Sequence, residues 1–214
     1  MQKHLKNIIP YHFLIFVLLF LFTQCQESEV KEEKIDYPIN LKYFPNKSVA
    51  KRFISEDNKK GIYIALPQCF KKDYSLISVT NKHNFYCTEK EVYFTIDLIP
   101  KKDIHYYRSY FSDNLILNQD DTNILLDYVI STRHKGLIDA KKSIYTKITS
   151  DKNKTILLGS TKGYSNQYSN ELLHQFGVIA AGDNYYVLQC VMSVNNAIYL
   201  HSDAIEIFKS FSLN

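Results

Sequence analysis

Two apolar, β-prone runs near the C-terminus, Phe176-Gly-Val-Ile-Ala-Ala181 and Tyr185-Tyr-Val-Leu-Gln-Cys-Val-Met192, are separated only by Gly182-Asp183-Asn184. A glycine-containing connection that short forces the chain to double back, so the pair is expected to form an antiparallel hairpin. Similar signals recur upstream. Gly61-Ile-Tyr-Ile-Ala-Leu66 and Glu91-Val-Tyr-Phe-Thr-Ile-Asp-Leu-Ile99 each end at a proline, as strands do where the ladder stops. Shorter strands are expected at Leu76–Val79, Asn84–Cys87, Ser143–Ile148 and Thr155–Leu158, with turn material over Asn81–His83.

The period changes between these groups. Tyr107, Tyr110 and Phe111 fall at helical spacing within a segment from Asp103 to Leu117. Ile124, Leu125, Tyr128 and Val129 do the same from Asp121 to about His134, with Asp121 placed as the N-cap. A C-terminal helix is expected to begin at Asp203, with Glu206 three residues on as in a capping box, and to pack through Ile207, Phe208 and Phe211. The sum is an α+β domain, a mainly antiparallel sheet with flanking helices. The strand end Ala65-Leu66-Pro67, the hairpin from Val178 to Met192 and the closing Ile207-Phe208-Lys209-Ser210-Phe211 resemble the PsbP-like α/β/α sandwich family. That resemblance implies a non-enzymatic accessory or binding role, and it transfers no site residue.

The N-terminus carries a different message. Lys3 and Lys6 precede the unbroken apolar run Phe13–Phe22, the layout of a secretory signal peptide. At 1.5 Å per residue, a helix needs about twenty apolar residues to span the hydrocarbon core, and this run falls short. Leu21-Phe22-Thr23-Gln24-Cys25 resembles a bacterial lipobox, with Phe22 and Gln24 where that pattern prefers Leu and a small residue. The resemblance implies cleavage before Cys25 and acylation of that residue, a lipid anchor in the membrane with no protein span. An ordinary secreted protein and an uncleaved signal anchor are the alternatives. The expected organisation is a signal peptide over 1–24, a lipidated cysteine and acidic flexible tether over 25–40, and one domain over 41–214.

Charge supports the tether. Residues 26–36 hold five acids against two lysines, and residues 37–214 hold 22 basic against 17 acidic side chains. The acidic piece has too few apolar groups to offset the entropy of ordering. Its run after Cys25 resembles the export tag of lipoproteins shown on some Gram-negative surfaces, so a cell-envelope, outer-membrane location is expected. A surplus of five cations over so long a stretch, with three scattered arginines (Arg52, Arg108, Arg133), does not make a nucleic-acid surface.

Chemistry-bearing residues form no local motif. Cys69, Cys87 and Cys190 lack a Cys-x-x-Cys pair, which argues against zinc-ribbon and thioredoxin-type sites. In an oxidising envelope Cys69 and Cys87 can bridge, leaving Cys190 as a buried thiol, or all three can be buried and unpaired. His83, His105, His134, His174 and His201 show no metal-binding spacing. Gly159-Ser-Thr-Lys-Gly163 looks superficially like a phosphate loop and is expected to be a turn between strands. No cofactor or metal is expected. Two functions follow: an envelope lipoprotein whose domain binds a protein, glycan or lipid through exposed tyrosines, or a hydrolase with a Cys/His or Ser/His site such as Cys87 with His174. A histidine within hydrogen-bond reach of Cys, Ser or a carboxylate would favour the second.

Overall fold

The structure, a computed structural model, describes residues 32–33, 41, 43–44, 48–54, 61–73, 83–111, 119–165 and 170–213, all within the unit Glu32–Asn214. In chain order the first strands are β1 (Glu32–Glu33), β2 (Ser48–Ile54), β3 (Gly61–Pro67), β4 (Phe70–Lys72), β5 (His83–Cys87) and β6 (Val92–Pro100). A 3-10 turn, Lys101–Asp103, leads into α1 (Ile104–Ser109), and α2 follows at Asp121–His134. Then come β7 (Leu137–Lys142), β8 (Thr146–Thr149), β9 (Thr155–Ser165), β10 (Glu171–Ala181), β11 (Asn184–Ser193), α3 (Val194–Lys209) and β12 (Ser212–Leu213).

The expected hairpin is the centre of the fold. Strands β10 and β11 pair antiparallel from Leu172↔Ser193 to Ala181↔Asn184, turning on Gly182 with φ 58. Positive φ is open to glycine at no steric cost, which is why that residue starts the turn. Around them runs an antiparallel sheet in the order β4-β5-β6-β11-β10-β9-β7, with β8 also on β9. A smaller sheet has the order β1-β2-β3-β12. Within the stretch expected to be tether, the backbone of Glu32 and Glu33 pairs with Lys51 and Ala50.

Alternation sorts the large sheet's side chains onto two covered faces. Phe94, Ile96, Ile179, Tyr186, Leu188, Cys190 and Met192 pack with Ala204, Ile207 and Phe208 of α3 and with Ile62, Ile64 and Leu66 of β3. Leu157, Phe176, Val178, Tyr185 and Val187 pack with Leu125, Leu126 and Ile130 of α2. Helix, sheet and helix stack as an α+β sandwich, and β11, apolar on both sides, is its middle strand.

Strand β10 begins at Glu171 rather than Phe176, and β8 covers Thr146–Thr149 rather than Ser143–Ile148; four further differences from expectation each have a local reason. The last helix starts at Ser193, whose side chain caps Asn196 N, not at Asp203. Asp203 is buried mid-helix, and its carboxylate accepts from the backbone N–H of Tyr43 and Phe44 at 2.8 and 3.0 Å, so it ties an incoming segment to α3. Asp120, not Asp121, caps α2, accepting from Thr122 N. The first helix ends at Ser109 rather than Leu117; 112–118 and the strand expected at Leu76–Val79 lie outside the described residues.

The fourth concerns Gly159–Gly163, which is no turn but the middle of β9. A Cβ on Gly159 would stand 2.8 Å from Ile130 Cδ1 and 3.1 Å from Leu126 Cδ2, so the glycine lets α2 settle on the strand. A Cβ on Gly163 would meet the Ile138 carbonyl oxygen at 2.7 Å, beneath the bulge in β7 where Asp139 takes φ 52 and the register shifts.

Candidate functional site

Of the residues named from the sequence, the structure brings Cys69 and Cys87 together. Cys25 lies outside the described residues. Cys69 and Cys87 form a disulfide, with their Cα atoms 4.9 Å apart, across the β4–β5 hairpin. The Cys87 sulfur is thereby consumed, which corrects the Cys87–His174 pairing considered as a hydrolase site. Cys190 is a buried free thiol, and burial pushes its pKa up, the opposite of what an attacking thiolate requires.

His174 sits elsewhere, on the α2 face of β10. Its Nδ1 lies 3.0 Å from Gln189 Nε2; with the amide as donor, the ring is neutral and carries its proton on Nε2. Burial, reinforced by the charge of Arg133, lowers its pKa to about 4. On the same face, Asp97 of β6 is raised to about 7 by burial, which the Arg133 charge only partly offsets. His134 Nδ1 is 3.2 Å from the Thr161 hydroxyl, but Thr161 is fully buried, so substrate cannot reach it. His105 is paired with the Lys102 carbonyl oxygen at 2.9 Å. Among the described residues no group of three or more His, Cys, Asp or Glu side chains could hold a metal ion.

A concavity lies between α1 and α2. Asp103, Tyr106, Tyr107, Ser109, Tyr110 and Tyr128 line an open cleft of about 450 Å³. Positions 103, 106, 107 and 110 follow the i, i+3, i+4, i+7 spacing of one helical face, and α2 supplies Tyr128 opposite. The rings of Tyr107 and Tyr110 each stand 4.9 Å from that of Tyr128, at 87° and 83°. Tyr110 is held from behind by Lys135, whose ammonium donates to its hydroxyl at 2.6 Å.

An ionic bracket fixes α1 against α2. Arg108 hydrogen-bonds the Asp121 carboxylate, and Asp121 also accepts from the Tyr185 hydroxyl at 2.6 Å. Burial alone would raise the Asp121 pKa, but the Tyr185 and Arg108 hydrogen bonds outweigh it and hold it below the usual range. At the other side, Tyr145 donates to Asp127. Of the six lining residues, Tyr107 and Tyr110 were legible in the sequence by their helical spacing. Asp103 and Tyr128 were visible only as helix residues, because nothing local says that α1 crosses α2 there.

This constellation offers aromatic walls, one carboxylate and hydroxyls, the makings of a binding surface. No protein-family model and no curated protein sequence matches the chain. Among solved structures it is similar to the cyanobacterial PsbP of Synechocystis sp. PCC 6803, with TM-score 0.52 and 11% identity over 77% of this chain and 92% of that one. It is also similar to the Saccharomyces cerevisiae Ran-binding protein Mog1p, with TM-score 0.46 and 11% identity over 76% of this chain and 94% of that one. The likeness to the Synechocystis PsbP structure shows the fold, a PsbP-like α+β sandwich. No helix among the described residues is long and apolar enough to cross a membrane.

Proposed function

We propose that the protein is a cell-envelope lipoprotein whose folded domain is a non-enzymatic binding module, held at the membrane by an acyl group on Cys25 after removal of residues 1–24. The tyrosine-lined cleft between α1 and α2 carries this reading. Tyrosine supplies large, rigid contact area at low entropic cost together with a polar tip, which suits it to interfaces. None of the cysteines lines the cleft, and neither does any histidine; the serine in its lining, Ser109, gives its hydroxyl to the Tyr106 carbonyl oxygen at 2.8 Å. The signal-like N-terminus and the acidic run after Cys25 support the envelope location.

Nitration footprinting tests the binding role within one molecule. Tyr106 and Tyr110, 66% and 39% exposed, flank the cleft, whereas Tyr164 and Tyr199, 49% and 55% exposed, do not line it. In intact envelopes, Tyr106 and Tyr110 are expected to react more slowly with tetranitromethane than in the purified full chain, while Tyr164 and Tyr199 keep their rates. Equal protection of all four, or of none, contradicts the assignment.

A further inference from the structure

On the reading that the cleft is the binding surface, we infer that it receives the quaternary ammonium group of its ligand, the chemistry of a choline head. Tyr107 and Tyr110 stand nearly perpendicular to Tyr128, so the rings form a corner, to which Tyr106 adds a fourth ring and Asp103 a carboxylate. The faces of such rings attract cations, most strongly those that shed their water easily.

Charge around the cleft is mixed, with the Asp103 carboxylate in its lining and the Lys135 ammonium at the Tyr110 hydroxyl. Beyond burial and the neighbouring Tyr128, the groups that raise the Tyr107 pKa are the carboxylates Asp97 and Asp103. A primary ammonium wants several hydrogen-bond acceptors, and one carboxylate with a few hydroxyls supplies them poorly. A trimethylated nitrogen has no donors to satisfy, and its methyl groups pack on the rings. The cleft is larger than this group alone, which leaves space for whatever the ammonium is attached to.

The test uses the full chain in dodecyl maltoside, titrated at constant ionic strength with choline and with its uncharged isostere 3,3-dimethyl-1-butanol. Choline is expected to bind saturably and about tenfold more tightly than the isostere. Tyr106→Ala and Asp103→Asn are each expected to weaken it about fivefold. Neither should disturb folding, because Tyr106 is exposed and the Asp103 side chain caps nothing; Tyr164→Ala is the unaffected control. Dihexanoylphosphatidylcholine below its micelle concentration separates the sources: tighter binding than choline assigns a lipid headgroup, and equal or weaker binding a soluble ligand. Equal affinity for the isostere overturns the cation while leaving the cleft a binding surface. Absence of saturable choline binding, or binding insensitive to both variants, also overturns it. Footprint protection of Tyr106 and Tyr110 is an independent readout that would still stand in either case.

Discussion

Two buried ionisable side chains, Asp97 and His174, pull stability in opposite directions with pH. Asp97 titrates near 7 in the folded protein and near 3.9 unfolded. The stability it contributes is full below about 4 and is lost as pH rises toward 7. His174 titrates near 4 folded and near 6.5 unfolded. Its folded state resists protonation, so stability falls as pH drops from about 6.5 to 4. Each shift is worth on the order of 3 kcal/mol across its window, and the windows overlap. The wild type is therefore expected to show a nearly level melting temperature between about pH 4 and 6.5. Asp97→Asn should make that profile rise with pH and His174→Gln should make it fall, as scanning calorimetry in matched buffers would record. Parallel profiles for the two variants would contradict the assignments. Asp97 was not distinguishable in the sequence, and His174 was named there only as a partner for Cys87, because what shifts them is burial beside α2 and the charge of Arg133, which are tertiary facts. Asp203 shows the same limit: its spacing to Glu206 imitates a capping box, and only its long-range bonds to Tyr43 and Phe44 reveal its role.

Among the elements, strands bounded by proline or a tight turn were readable, and those interrupted by glycine or a bulge were not. β3, β6 and β11 fall where alternation and breakers put them, while β10 ends there but begins at Glu171, five residues before the expected Phe176. β9 was cut short at Leu158 because Gly159 and Gly163 look like turn residues, when each is instead a point of close approach. β7 escaped notice because its bulge at Asp139 breaks the period of two. The two glycines should therefore respond differently to a methyl group. Gly159→Ala pushes against the ends of flexible side chains on Ile130 and Leu126, and is expected to cost about 1 to 2 kcal/mol. Gly163→Ala meets the backbone carbonyl of Ile138, which cannot rotate away, and is expected to cost about 2 to 3 kcal/mol and to raise amide exchange in β7. Urea denaturation of both variants checks the order; equal and small losses would contradict the close packing.

Across the whole molecule, the α+β architecture was legible because it follows from local patterns summed along the chain: a central hairpin, strands on either side and helices with an apolar face. The cleft was not, since α1 and α2 meet through Tyr107, Tyr110 and Tyr128 only once both are packed on the sheet. The two ends of the proposal, an acyl anchor at Cys25 and a tyrosine-lined domain that meets its ligand at the membrane, depend on one covalent event. It is tested by intact mass and Triton X-114 partitioning of wild type and Cys25→Ala expressed in a Gram-negative envelope. The wild type is expected to lose residues 1–24, gain the mass of a diacylglyceryl group with or without a third acyl chain, and enter the detergent phase. The variant should lack the acyl mass and remain aqueous. A wild type without acyl mass, or a variant that partitions identically, would contradict the anchor and with it the lipoprotein assignment.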